Sequence, residues 1–97
     1  MPLRMPQILS DTQIQSALAC LPAWKVEHGE LTRTAVFADF LQAMAFVNRV
    51  AGLAESAGHH PDMDIRYNKV RLGLCTHDAG GITQKDMNLA QEIDKNL

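Results

Sequence analysis

The stretch MDIRYNKVRLGLCTH, residues 63–77, decides the fold. Met63, Ile65 and Tyr67 alternate with Asp64 and Arg66. Val70, Leu72, Leu74 and Thr76 then alternate with Arg71, Gly73, Cys75 and His77. A period of two is the signature of a strand, whose successive side chains point to opposite faces. Asn68-Lys69 reads as a two-residue turn, so the two strands pair antiparallel as a hairpin. The alternation places His77 opposite Val70, Leu72 and Leu74, on the other face of the strand or at its end.

Upstream of this hairpin the period changes from two to that of a helix. Asp39 with Gln42 resembles a capping box, and a long helix is expected over 40–57. Its apolar set is Phe40, Ala43, Met44, Phe46, Val47, Val50, Ala51, Leu53 and Ala54. Those positions cover about half the circumference, whereas a helix on one sheet needs a stripe of roughly 100°. The excess points to a second contact surface, most simply a partner subunit. Gly58 is placed as the C-terminal cap.

Further upstream, Ser10 and Gln13 form a capping box for a helix over 11–20. Ile14, Ala17, Leu18 and Leu21 make its buried face, and Pro22 ends it. Trp24 to Glu27 reads as a strand, His28-Gly29-Glu30 as a turn, and Leu31 to Phe37 as a second strand. Downstream, Asp78 to Gly81 is a loop. Thr83 and Asp86 open a last helix over 83–97, with Ile82 and Met87 as a hydrophobic staple and Ala90, Ile93 and Leu97 continuing its face. The sum is an α+β domain over residues 1–97 in the order α-β-β-α-β-β-α, a four-stranded antiparallel sheet with three helices packed on one face.

Composition narrows the function classes. The 97 residues are 46% apolar, as in a folded globule. The net charge is −2, and the nine basic residues are scattered. A direct nucleic-acid role through a clustered basic face is therefore not expected. No apolar run reaches the ~20 residues that span a bilayer. Met1 to Gln7 has no apolar core of a secretory leader. Cys20 and Cys75 stand far apart, outside any CxxC spacing, and are read as reduced thiols in the cytoplasm, with a single disulfide as the alternative. No glycine-rich phosphate cradle is present.

Chemistry concentrates in the histidines. His59 and His60 are adjacent, Pro61 biases His60 toward extended backbone, and Glu55 lies one helical turn before His59. Imidazoles with a pKa near ~6.5 give and take protons near neutral pH. Ordinary readings stand beside this one. A His before a Pro also closes a helix end, a His at a strand end is also a solvated residue, and His28 belongs to a turn. Three His and a carboxylate are a legitimate zinc set, although adjacent histidines converge on one ion less readily than those of HExxH. Cys75 neighbours His77, but no oxyanion-binding loop accompanies it.

The full spacing is Glu55-x3-His59-His60-Pro61-x5-Tyr67-x9-His77-x8-Asp86. It resembles the signature of pterin-4a-carbinolamine dehydratase, the family also known as a dimerization cofactor of a homeodomain transcription factor. The match is sharpest over 55–86. It extends outward through Trp24, the Phe37-to-Phe46 region, Tyr67-Asn68-Lys69-Val70 and the segment from Asp86 to Ala90. Met63 departs from it, standing where members often carry a bulky aromatic residue.

The resemblance implies the fold read above, assembled as homodimer or homotetramer with helix 40–57 at an interface. It implies dehydration of 4a-hydroxytetrahydrobiopterin or a related 4a-hydroxytetrahydropterin to quinonoid dihydropterin. The pterin is the substrate, no cofactor or metal is required, and an aromatic amino acid hydroxylase supplies the carbinolamine. By the same resemblance His59, His60 and His77 line the pocket as catalytic residues. Glu55 orients an imidazole, Gly58, Thr76 and Asp78 flank the pterin, and Trp24 offers an aromatic wall or a core contact. Asp86 is read as bracing the last helix. The competing class is a protein-interaction module, a coactivator or assembly factor of the same fold; the intact histidine set favours the enzyme.

Overall fold

Two tight hairpins build the sheet. The computed structural model describes residues 7–97, so the reading of the first residues as lacking a leader lies almost wholly outside it. Strands β1 (Lys25–Glu27) and β2 (Glu30–Val36) close on the pair Glu27↔Glu30. His28 (φ 51°) and Gly29 (φ 78°) form the loop between them. Positive φ at both positions matches the twist of a two-residue type I′ turn. Glu30, expected in the turn, therefore belongs to β2, and β1 begins at Lys25 rather than Trp24.

Strands β3 (Asp62–Arg66) and β4 (Lys69–Leu74) close on Arg66↔Lys69. The turn is Tyr67-Asn68, with Tyr67 at φ 52°, not the expected Asn68-Lys69. Asn68 explains the difference. Its Nδ2 donates to Phe37 O at 2.8 Å and its carbonyl accepts from Phe37 N at 2.8 Å. Those bonds hold Asn68 against the end of β2 and leave Lys69 to pair. Strand β4 stops at Leu74, earlier than the alternation suggested. The chain then closes a loop through Thr76 N to Gly81 O at 2.9 Å, and His77 is the first residue inside that loop.

The helices have the expected places and slightly different ends. Helix α1 (Asp11–Leu18) has the full Ser10–Gln13 capping box and stops two residues early. Helix α2 (Phe40–Ala57) has the expected bounds. Asp39 accepts from Gln42 N at 2.8 Å, which is half of a capping box. Gly58 ends α2 at φ 62°, a left-handed position that glycine adopts without the Cβ penalty. Helix α3 (Gln84–Asp94) opens on the Thr83–Asp86 capping box.

The sheet order is β1-β2-β4-β3, antiparallel throughout. Leu31 and Ala35 of β2 share a face with Val70, Leu72 and Leu74 of β4. All five are buried in one core with Ala43, Phe46 and Val50 of α2 and Met87, Ala90 and Ile93 of α3. Phe46 lies against Phe37 with ring centroids 5.0 Å apart. Thr32, Thr34, Arg71 and Asp64 alternate onto the opposite face, as expected of a sheet covered on one side. The end of α3 is pinned by Asp94, whose Oδ1 accepts from Trp24 Nε1 at 2.8 Å and from Arg33 Nη1 at 2.6 Å.

The wide apolar face of α2 is only partly used inside the chain. Ala43, Phe46, Val50 and Ala54 are buried, while Phe40 and Ala51 are exposed and Leu41 is 78% exposed.

Because Phe46 is fully buried, truncation leaves a cavity at the helix–sheet junction. Phe46→Ala should destabilise the fold by about 3–5 kcal/mol, measured as the shift in a urea unfolding midpoint.

Candidate active site

The site forms where three chain segments end or begin. The left-handed Gly58 turns the chain out of α2 and delivers His59 and His60 before Pro61 and β3. The loop after β4 delivers Cys75, Thr76, His77 and Asp78. The first turn of α3 delivers Lys85 and Asp86. A cavity of about 230 Å3 lies between them, lined by Gly58, His59, His60, Cys75, Thr76, His77, Asp78 and Lys85. Three histidines separated in sequence by up to eighteen positions (77 − 59) thus share one wall system.

Asp86 ties the segments together from below. Its side chain is fully buried. Oδ2 accepts from Thr83 N–H at 2.8 Å and from the Thr76 hydroxyl at 2.9 Å. The Thr76 proton is committed to Asp86, so the Thr83 hydroxyl, 2.7 Å away, donates to Thr76 Oγ1. Thr83 Oγ1 in turn accepts from Lys85 N–H at 3.2 Å. Oδ1 of Asp86 lies 2.5 Å from His59 Nε2. A buried carboxylate needs several donors, and this one has them.

The second carboxylate–histidine pair differs in setting. His60 Nε2 is 2.7 Å from Glu55 Oε1, with side chains 63% and 78% exposed. Water and salt screen such a pair, so it orients His60 weakly. His77 is exposed at the cavity wall.

Of the residues singled out in the sequence, His59, His60, His77, Gly58, Thr76 and Asp78 come together at this cavity. Glu55 stands outside it, bonded to His60. Trp24 does not line it either; it is buried in the core with its indole N–H bonded to Asp94. The aromatic wall expected of Trp24 is therefore absent from this cavity, and the core alternative holds. One lining residue was missed. Lys85 lines the cavity and also a neighbouring groove of about 370 Å3 between α2 and α3, which shares His59. Asp86, read as capping or bracing the last helix, does cap it through Oδ2, and its other oxygen faces His59.

The Cys75 thiol is pushed above the ordinary thiol range. Burial is the main cause, with the charges of Asp86, Glu30 and Asp62 adding to it. Near neutral pH it is a protonated thiol, which is a poor nucleophile and a poor metal ligand. Among the described residues no group of three His, Cys, Asp or Glu side chains is arranged to hold a metal ion. The cavity therefore offers imidazoles at its wall and a buried anion behind one of them, the equipment of proton transfer.

Comparison with known proteins identifies the family. The family model for pterin 4 alpha carbinolamine dehydratase matches residues 7–96. A pterin-4-alpha-carbinolamine dehydratase homologue of Acidobacterium capsulatum is 57% identical over 86 residues, covering 89% of this chain and 94% of its own. One from Chloroflexus aurantiacus is 57% identical over 91 residues, covering 94% and 97%. The crystal structure of a transcriptional coactivator/pterin dehydratase from Brucella melitensis superposes with a TM-score of 0.88 at 31% identity, covering 92% of this chain and 97% of that one. A pterin dehydratase-like RuBisCO assembly factor of the α-carboxysome shares the fold, with a TM-score of 0.60 at 22% identity over 74% and 83%. The chain belongs to the pterin 4 alpha carbinolamine dehydratase family, and its activity is the dehydration of a 4a-hydroxytetrahydropterin.

Proposed function

We propose that His59 and His77 are the proton-transfer pair of this dehydration and that His60 orients the pterin. The observation that carries the reading is the placement of all three imidazoles around one cavity of about 230 Å3. The chemistry asks for little more. Hydroxide is a poor leaving group, so an acid protonates the 4a-oxygen. A base removes the N5 proton, the C4a=N5 bond forms, and water departs. An imidazole can both give and accept a proton, so a pair of them serves both ends. Gly58, Thr76 and Asp78 flank the ring as binding groups, and Glu55 steadies His60.

The substrate carries the dihydroxypropyl side chain of tetrahydrobiopterin or a related one, and an aromatic amino acid hydroxylase releases it. The exposed thiol of Cys20 and the free Cys75 suit a cytoplasmic setting. The chain assembles as a homodimer or homotetramer, using the exposed apolar side of α2. A coactivator role, such as the one named for the Brucella structure, would use the same surface and leave the cavity free.

Four measurements test these readings. Purified protein added to a phenylalanine hydroxylase reaction should speed the decay of the 4a-carbinolamine absorbance, and a rate equal to the spontaneous one would defeat the proposal. His59→Ala and His77→Ala should each lose at least ~10²-fold in kcat, whereas His60→Ala should act mainly on KM. Iodoacetamide at neutral pH should alkylate exposed Cys20 well before Cys75, with Cys75 reacting only as the pH rises beyond the ordinary thiol range. Leu41→Glu should leave the fold of each subunit intact and lower the mass seen by light scattering; an unchanged mass would remove α2 from the interface.

A further inference from the structure

Asp86 does more than helix capping requires. The cap uses Oδ2, which accepts from Thr83 N–H and shares the Thr76 hydroxyl. Oδ1 is left over, and it faces His59 Nε2 at 2.5 Å. Both groups are shielded: the His59 side chain is 12% exposed and the Asp86 side chain 0%. A carboxylate accepts hydrogen bonds and does not donate them. The nitrogen facing it is therefore the one that carries the ring proton, and the lone pair of the neutral ring sits on Nδ1. No protein partner for Nδ1 is found among the described residues.

We infer that Asp86 is a positioning residue for the dehydration: it fixes His59 as the Nε2–H tautomer and leaves Nδ1 as the base that takes the N5 proton. This rests on the reading of His59 as a proton-transfer group. In the step, the N5–H bond breaks and its proton goes to His59 Nδ1. The released electron pair forms C4a=N5. The C4a–O bond breaks, and the oxygen leaves as water with a proton supplied by His77. One proton enters and one leaves, so the balance closes without an oxidant or reductant. The imidazolium formed on His59 then lies against a buried anion, as in the hydrolase triads where a carboxylate holds the tautomer and stabilises the charged ring. The Glu55–His60 pair, open to water, gives no such hold.

The test reads the tautomer and the rate separately. Long-range ¹H–¹⁵N spectra of histidine-labelled protein, taken where the rings are neutral, should show His59 protonated on Nε2. Asp86→Asn should lose that fixed tautomer and lower kcat by at least ~10²-fold with KM nearly unchanged, because an amide can offer the ring a donor in place of an acceptor. Thr83→Ala weakens the same cap without touching the Asp86–His59 contact; it should lower the melting temperature and leave tautomer and kcat close to wild type. A wild-type His59 protonated on Nδ1 overturns the inference, even if Asp86→Asn fails to fold. A folded Asp86→Asn with undiminished kcat overturns it as well. A wild-type protein that does not accelerate the reaction would sink the functional reading, while the spectra would still decide the role of Asp86.

Discussion

A single buried carboxylate joins the parts of this molecule that matter for chemistry. Asp86 caps α3, accepts from the loop after β4 through Thr76, and meets the histidine that follows α2. An ion this deep in a protein is costly unless its acceptor sites are filled. Filling them forces three otherwise independent segments to one point. The cavity is what remains in front of that point, so its shape depends on a network whose polar partners sit behind its wall.

Much of the fold was legible because each element carried its own local signal. The alternation through residues 63–77 named a hairpin, and the capping residues Ser10 and Thr83 marked two helix starts that the backbone respects. The bounds of α2 followed from Asp39 and Gly58 alone. The errors fall where a distant contact outweighs local preference. The turn shifted to Tyr67-Asn68 because Asn68 bonds Phe37, 31 positions away in the chain. Strand β4 ended early because Thr76 pairs with Gly81 instead of continuing the ladder.

The site was legible at a coarser level. The family resemblance put His59, His60 and His77 at one pocket, and all three line the cavity. The spacing did not say which carboxylate served which ring. Glu55 is the nearer in sequence and bonds exposed His60, whereas the buried partner of His59 comes from 27 positions later. Sequence distance favoured Glu55, and burial favoured Asp86. Trp24 lies away from the cavity because its ring is packed in the core, where the indole N–H donates to Asp94.

The lining of the cavity runs from Gly58 to Lys85, so every group at its wall comes from the C-terminal half of the chain. Helix α1 and the β1–β2 hairpin contribute no side chain to that lining. Their outward positions, the His28-Gly29 tip among them, can change without altering that lining. A chain divided in this way can rewrite its N-terminal surface for a new partner while its reaction stays as it was.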